Sequence, residues 1–164
     1  MTKFAATDYR SLSAQLAAML ADETDPLANS ANFVGLLYAE IAAINWLGIY
    51  VWRDNELVLG PFQGRPACVR IPPGRGVCGT AAENRETLRV ADVHAFEGHI
   101  ACDAASRSEI VVPLISDGRL LGVLDIDSPH TDRFSDADQQ GIENLCAAFI
   151  SALERNELRL PDFI

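Results

Sequence analysis

Residues 109–128 read EIVVPLIS, then Asp117-Gly118, then RLLGVLDIDS. Two runs rich in β-branched and aliphatic residues flank a dipeptide that supplies the backbone of a tight turn, so the stretch is predicted as a β-hairpin. Other segments carry the same strand signature. WLGIYVW at 46–52 is aromatic and β-branched, and ELVLGPF returns after the turn Arg53-Asp54-Asn55. ACVRI at 67–71 and TLRVAD at 87–92 are shorter strand candidates. Helical stripes bracket them. Leu12, Leu16, Met19 and Leu20 form one; Phe33, Leu36, Leu37, Ile41 and Ile44 form a second, after an Asp25-Pro26 helix start. Ile142, Leu145, Cys146, Phe149, Ile150 and Leu153 form a third, opened by Ser135 with Asp138 three residues on. A short helix is expected at VCGTAAEN, after the break PPGRG at 72–76. Together these elements predict an α+β fold: a mainly antiparallel central sheet of about six strands with helices packed on it. One domain is expected over 1–164, with N-terminal helices at about 7–44, sheet and active-site loops at about 46–128 and a closing helix at about 135–156. The irregular stretch 93–108 is long for a connection in such a domain, and loops of that length are usually functional.

Charge narrows the function classes. The chain has 164 residues and a formal net charge of −10, from 13 basic and 23 acidic residues. Such a surface repels phosphate backbones and anionic membranes, so neither nucleic acid nor membrane is an expected partner. No apolar run is long enough to span a bilayer, and MTKFAATDYRSLS lacks a secretory leader's apolar core. The predicted setting is a reducing cytoplasm, where cysteines are thiols by default and disulfides are transient or catalytic.

The four cysteines divide by position. Cys146 lies on the apolar stripe of the last helix and reads as a small buried hydrophobe. Cys102 lies in the long loop among small residues, with His94, His99 and Arg107 close in sequence. It is either an accessible, activated thiol or an inert loop cysteine. Cys68 on a short strand and Cys78 after PPGRG are either packing residues or partners in thiol chemistry. A place in a first helical turn would favour the Cys78 thiolate. Cys68, Cys78 and Cys102 share residues 61–110 with six of the 13 basic residues, which also favours thiolate. Their spacings, C-x9-C and C-x23-C, are not zinc signatures, and no metal is expected.

Asp125 and Asp127 alternate along one strand and so share a face. Either one of them holds a proton near neutrality, or the strand end simply reaches solvent. Glu109 on the partner strand poses a register problem. A regular two-residue turn at Asp117-Gly118 sets Glu109 opposite Ile126, on the wrong face; a bulge or a longer loop would restore a shared face. Pro113, which cannot donate a ladder hydrogen bond, makes an irregular ladder reasonable. On the first strand Trp46, Gly48, Tyr50 and Trp52 share one face and Leu47, Ile49 and Val51 the other. The aliphatic face is the natural core face; the aromatic one is core too, or walls a small-molecule pocket.

The segments WLGIYVW, GPFQGRPACVRIPPGRGVCGTAA, VADVHAFEGHIACDAASRSEIVVPL and GVLDIDSP, with their three cysteines, resemble the free methionine-(R)-sulfoxide reductases, single-domain proteins of the GAF fold. The resemblance covers roughly residues 30–155. It implies that Cys102 attacks the sulfoxide sulfur and becomes a sulfenic acid, that Cys68 resolves it as an intramolecular disulfide, and that Cys78 assists or substitutes. It implies a thioredoxin-type dithiol as reductant, no bound cofactor and a homodimer. It matches Glu109, Asp125 and Asp127 to acidic pocket residues, and Trp46 and Tyr50 to aromatic ones. Backbone N–H groups around Ile100 and Ala101 suit a substrate carboxylate. The rival expectations are a GAF module that senses a small ligand without turnover and a redox- or metal-sensing module.

Overall fold

The computed structural model describes residues 4–99 and 103–155. In chain order they form α1 (Tyr9–Met19), α2 (Pro26–Glu40), β1 (Trp46–Arg53), β2 (Glu56–Gln63), β3 (Arg70–Ile71), α3 (Gly76–Asn84), β4 (Leu88–Val90), β5 (Ser108–Ser116), β6 (Arg119–Ser128) and α4 (Asp136–Arg155). The six strands make one antiparallel sheet in the order β3-β2-β1-β6-β5-β4. The expected α+β architecture is therefore present. The third strand is shorter than ACVRI suggested: only Arg70 and Ile71 pair with β2. The second helical stripe also overruns its helix, since Ile41 is the C-cap of α2.

Local chemistry accounts for the punctuation. Asp117 and Gly118 have φ of 48° and 73°, both positive as a type I′ hairpin turn requires. Asp25 caps α2 by accepting from the Ala28 N–H, with Pro26 at the first helical position. Ser135 and Asp138 form a reciprocal capping box at α4: Ser135 Oγ accepts from the Asp138 N–H at 3.1 Å, and Asp138 Oδ2 accepts from the Ser135 N–H at 2.9 Å. Arg133 donates to the same carboxylate at 3.1 Å. Burial acts to raise the Asp138 pKa, but these hydrogen bonds and the Arg133 charge outweigh it and hold the carboxyl below its usual range.

The two faces of the sheet bury different things. Leu47, Ile49, Val51, Ile110, Val112, Leu124 and Ile126 pack on the helix side with Phe33, Leu37, Leu145 and Phe149. Cys146 joins this cluster, as its place on the α4 stripe predicted. Trp46, Tyr50, Val111 and Val123 face the other way, toward α3 and β3, in a smaller cluster with Ile71, Val77 and Cys78. The aromatic face of β1 is thus itself buried, and part of it lines a cavity. Among the described residues no helix is long and apolar enough to cross a membrane.

Candidate active site

The cavity floor is built by strand register. Ser116 pairs with Arg119 and Ile115 with Leu120, but Leu114 pairs with Gly122. Leu121 is therefore an extra residue in β6, a bulge that shifts all pairing beyond it by one. As a result Glu109 lies opposite Asp127, and Val111 opposite Asp125. The regular turn would have sent Glu109 to the other face; the bulge returns it to the face of both aspartates. On the other side of β6, Trp46 pairs with Asp127 and Gly48 with Asp125. A side chain at Gly48 would collide with Trp46 and with Phe62, the nearest approach being 2.5 Å. Glycine there lets the indole lie across the sheet, stacked on Tyr50 and Phe62.

The roof comes from α3. The segment PPGRG turns the chain so that Gly76, Val77 and Cys78 enter the cavity at the start of this helix. Gly79 permits the tight turn, since a Cβ would sit 2.4 Å from the Pro72 carbonyl. Cys78 Sγ donates to Glu109 Oε1 at 3.8 Å. The remaining wall is Tyr50, Ile71, Arg75, His99, Asp103 and Ser106. The pocket holds about 30 Å³ of free space and opens to solvent at its mouth.

The aromatic residues do more than line a wall. Trp46 Nε1 donates to the Arg65 carbonyl at 3.0 Å, and the Tyr50 hydroxyl donates to the Cys68 carbonyl at 3.0 Å. Both rings thereby tie down the segment that carries Cys68, beside a second recess shared by Trp46, Tyr50, Asp103, Asp125 and Asp127. Cys68 is half-buried and disulfide-bonded, whereas Cys78 and Cys146 are free. Cys102, Ile100 and Ala101 lie outside the described residues. Their flanks are held firmly. Asn45 Nδ2 donates to Asp103 Oδ2 and to Ser106 Oγ, each at 3.1 Å. The Val93 N–H donates to the Arg107 carbonyl at 2.8 Å, closing the base of the loop.

Burial dominates the electrostatics. Glu109 and Asp127 have pKa values well above the carboxylate range, first because desolvation penalises the charge and then because Asp125 is close. Burial lifts Asp125 to about 6, while the neighbouring Cys78 and Glu109 side chains oppose the rise. Within the trio Asp125 thus carries the charge most readily, and Glu109 keeps its proton. Cys78 corrects an expectation. It does sit in the first turn of a helix, but desolvation and then Asp125 and Glu109 push its thiol up, not down. Three of the six neighbouring cations implied by composition are engaged elsewhere. Arg70 pairs with Glu56, Arg89 with Asp136, and Arg85 donates to the Gly118 carbonyl. Of the six, Arg75 lines this cavity and Arg65 the adjoining recess. His99 faces the pocket with its pKa lowered by burial and by His94.

All three predicted carboxyl residues, Tyr50 and Cys78 therefore meet in one pocket, and Trp46 lines the recess beside it. Sequence reasoning missed Arg75, Asp103, Ser106 and the anchor Asn45. The Asp103 and Ser106 signal was available as polar residues inside a loop already flagged as functional; Asn45 left none, because its partners are 58 and 61 residues away.

The chain is similar to known proteins along nearly its whole length. Residues 14–153 match the GAF domain family. The free methionine-R-sulfoxide reductase of Escherichia coli is 51% identical over 151 residues, covering 92% of each chain. The fRMsr of Staphylococcus aureus in its reduced form superposes with a TM-score of 0.90 at 51% identity, covering 93% of this chain and 99% of that one. The Neisseria meningitidis free methionine-R-sulfoxide reductase in complex with its substrate superposes at 0.88 with 44% identity, over 96% and 97% of the two chains. With this identity along nearly its whole length, a GAF-domain match and a buried acidic pocket at the positions the resemblance marked, the chain belongs to the free methionine-R-sulfoxide reductase family.

Proposed function

We propose that this chain reduces free L-methionine-(R)-sulfoxide to L-methionine. The observation that carries the reading is the buried trio Glu109, Asp125 and Asp127, which holds protons near neutrality on the floor of a pocket open to solvent at its mouth. Sulfoxide reduction by a thiol needs such a donor. As the Cys102 sulfur attacks the sulfoxide sulfur, the S–O bond breaks and charge builds on oxygen. Glu109, protonated and beside Asp125, is placed to supply the proton. Methionine leaves, and Cys102 keeps the oxygen as a sulfenic acid. Attack by the Cys68 thiol then forms a disulfide and releases water. The two electrons come from the two sulfurs, so the reaction balances without a bound cofactor. A thioredoxin-type dithiol restores both thiols.

Charge placement supports the free amino acid as substrate. An ionised Asp125 pairs with an ammonium group that a peptide bond would remove. Backbone N–H groups at Ile100 and Ala101, with Arg75, serve the carboxylate. The stacked Trp46 and Tyr50 rings suit an S-methyl group. A homodimer in the cytoplasm belongs to the same reading.

The deciding assay supplies reduced protein with separate R and S epimers of free methionine sulfoxide and thioredoxin recycling. Methionine from the R epimer alone is expected. No product from either epimer, with thiols confirmed reduced, leaves a ligand-binding GAF module as the better account.

The Tyr50 tether yields a narrower expectation. Tyr50→Phe removes the hydroxyl that holds the Cys68 carbonyl and keeps the ring. Methionine release in a single turnover should stay near wild type, while disulfide formation slows by up to about tenfold, the value of one hydrogen bond. Equal slowing of both steps would show that the hydroxyl acts on substrate instead. Cys146→Ala, in the helix-side core, should leave both steps unchanged.

A further inference from the structure

Three of the pocket residues have a second chemical capacity. Cys78 from α3, Glu109 from β5 and Asp125 from β6 are all buried, and one ligand-type atom from each lies within 4.8 Å of the others. Cys78 Sγ and Glu109 Oε1 are 3.8 Å apart. A tetrahedral Zn²⁺, with Zn–S near 2.3 Å and Zn–O near 2.1 Å, sets a sulfur and an oxygen ligand about 3.6 Å apart. For this pair a movement of a few tenths of an ångström suffices, and the Asp125 oxygen closes in from within 4.8 Å. A separate observation points the same way. Asp125 is only 6% exposed, lines the cavity, and its Oδ1 has no hydrogen-bond partner. An acceptor oxygen taken out of water without a donor is where a cation gains most.

We propose that Cys78, Glu109 and Asp125 form a binding site for a borderline-soft divalent cation, Zn²⁺ above all, which occupies the pocket in competition with substrate. The donor set selects the ion. A thiolate disfavours Mg²⁺ and Ca²⁺, which take oxygen ligands, and favours Zn²⁺. Three protein ligands leave a fourth position facing the cavity, open to water. A thiol and a carboxyl bind the ion only as thiolate and carboxylate, so binding releases protons and affinity rises with pH. Spacing along the chain gave no sign of this site, because its members are brought together only by the sheet and α3. The metal site stands on geometry alone; its inhibitory effect rests on the proposed reductase activity.

The test uses the protein with Cys68 in its disulfide, as in this structure, so that Cys68 offers no thiolate. Titration with Co²⁺ is expected to give a thiolate-to-cobalt charge-transfer band that saturates at one ion per chain and is bleached by Zn²⁺. The band should vanish in Cys78→Ser and persist in Cys146→Ser. In chelator competition Zn²⁺ affinity should fall at least tenfold in Glu109→Gln, a near-isosteric change that guards against misfolding of the cysteine variant. No band in wild type, a band that survives Cys78→Ser, or unchanged affinity in a folded Glu109→Gln would each overturn the site. With reduced enzyme, Zn²⁺ inhibition competitive with the sulfoxide and reversed by chelator is expected. A cobalt band without sulfoxide turnover would defeat the proposed function and leave the site standing; turnover without a band would do the reverse.

Discussion

Cys102→Ser is expected to abolish methionine formation, by at least about a thousandfold, in single-turnover as well as steady-state assays. The size follows from the electron balance. Sulfur can accept the sulfoxide oxygen and pass from thiol to sulfenic acid; a serine oxygen has no equivalent oxidised state. Cys68→Ser should behave differently, giving one equivalent of methionine and then stalling as a sulfenic acid, unless Cys78 takes over the resolving step. Mass spectrometry of the stalled protein should find one added oxygen atom on Cys102. The environments of the free cysteines reinforce the assignment. Burial pushes up the thiols of both Cys78 and Cys146, and Cys78 also faces carboxyl groups that oppose its ionisation. Neither is a ready nucleophile at neutral pH. Wild-type rates in Cys102→Ser would mean that the nucleophile has been misassigned.

Glu109→Gln carries the second large expectation: kcat falls by about 10²–10⁴, the usual worth of a positioned general acid. In wild type the rate should decline on the alkaline side as the trio loses its proton, and the variant should lack that limb. Stability should move the opposite way. The folded-state pKa of Glu109 is raised. Its contribution to stability is therefore complete below the unfolded value, about 4.3, and is lost as pH rises through the folded value. Glutamine has no such loss, so the variant should gain on wild type between pH 5 and 8. Asp125, lifted to about 6, has the same sign. For Asp125→Asn the gain above pH 6 is on the order of 3 kcal/mol. Urea midpoints at pH 5 and pH 8 measure both. A variant that keeps its activity removes Glu109 as proton donor, and one that loses stability at pH 8 shows that the buried carboxyls are not a stored cost. A site that weakens the fold to hold protons is a familiar trade between stability and activity.

What could be read from the chain were features set within a few residues. The positive-φ turn at Asp117-Gly118, the caps at Asp25 and Ser135, and the split of β1 into an aliphatic and an aromatic face all follow from local sterics and side-chain alternation. The family segments added which residues to watch. The tertiary structure alone decided how they meet. One extra residue, Leu121, turns Glu109 back to the face of Asp125 and Asp127. Register is a property of two strands at once, and a single slip changes the face of every residue beyond it. The state of Cys78 was likewise beyond local reading. Its helix position argued for thiolate, yet burial, and then the carboxyls of β6 and β5, reverse the sign. A helix dipole acts over one turn, whereas desolvation depends on everything that closes around the group, and residues tens of positions away supply that enclosure.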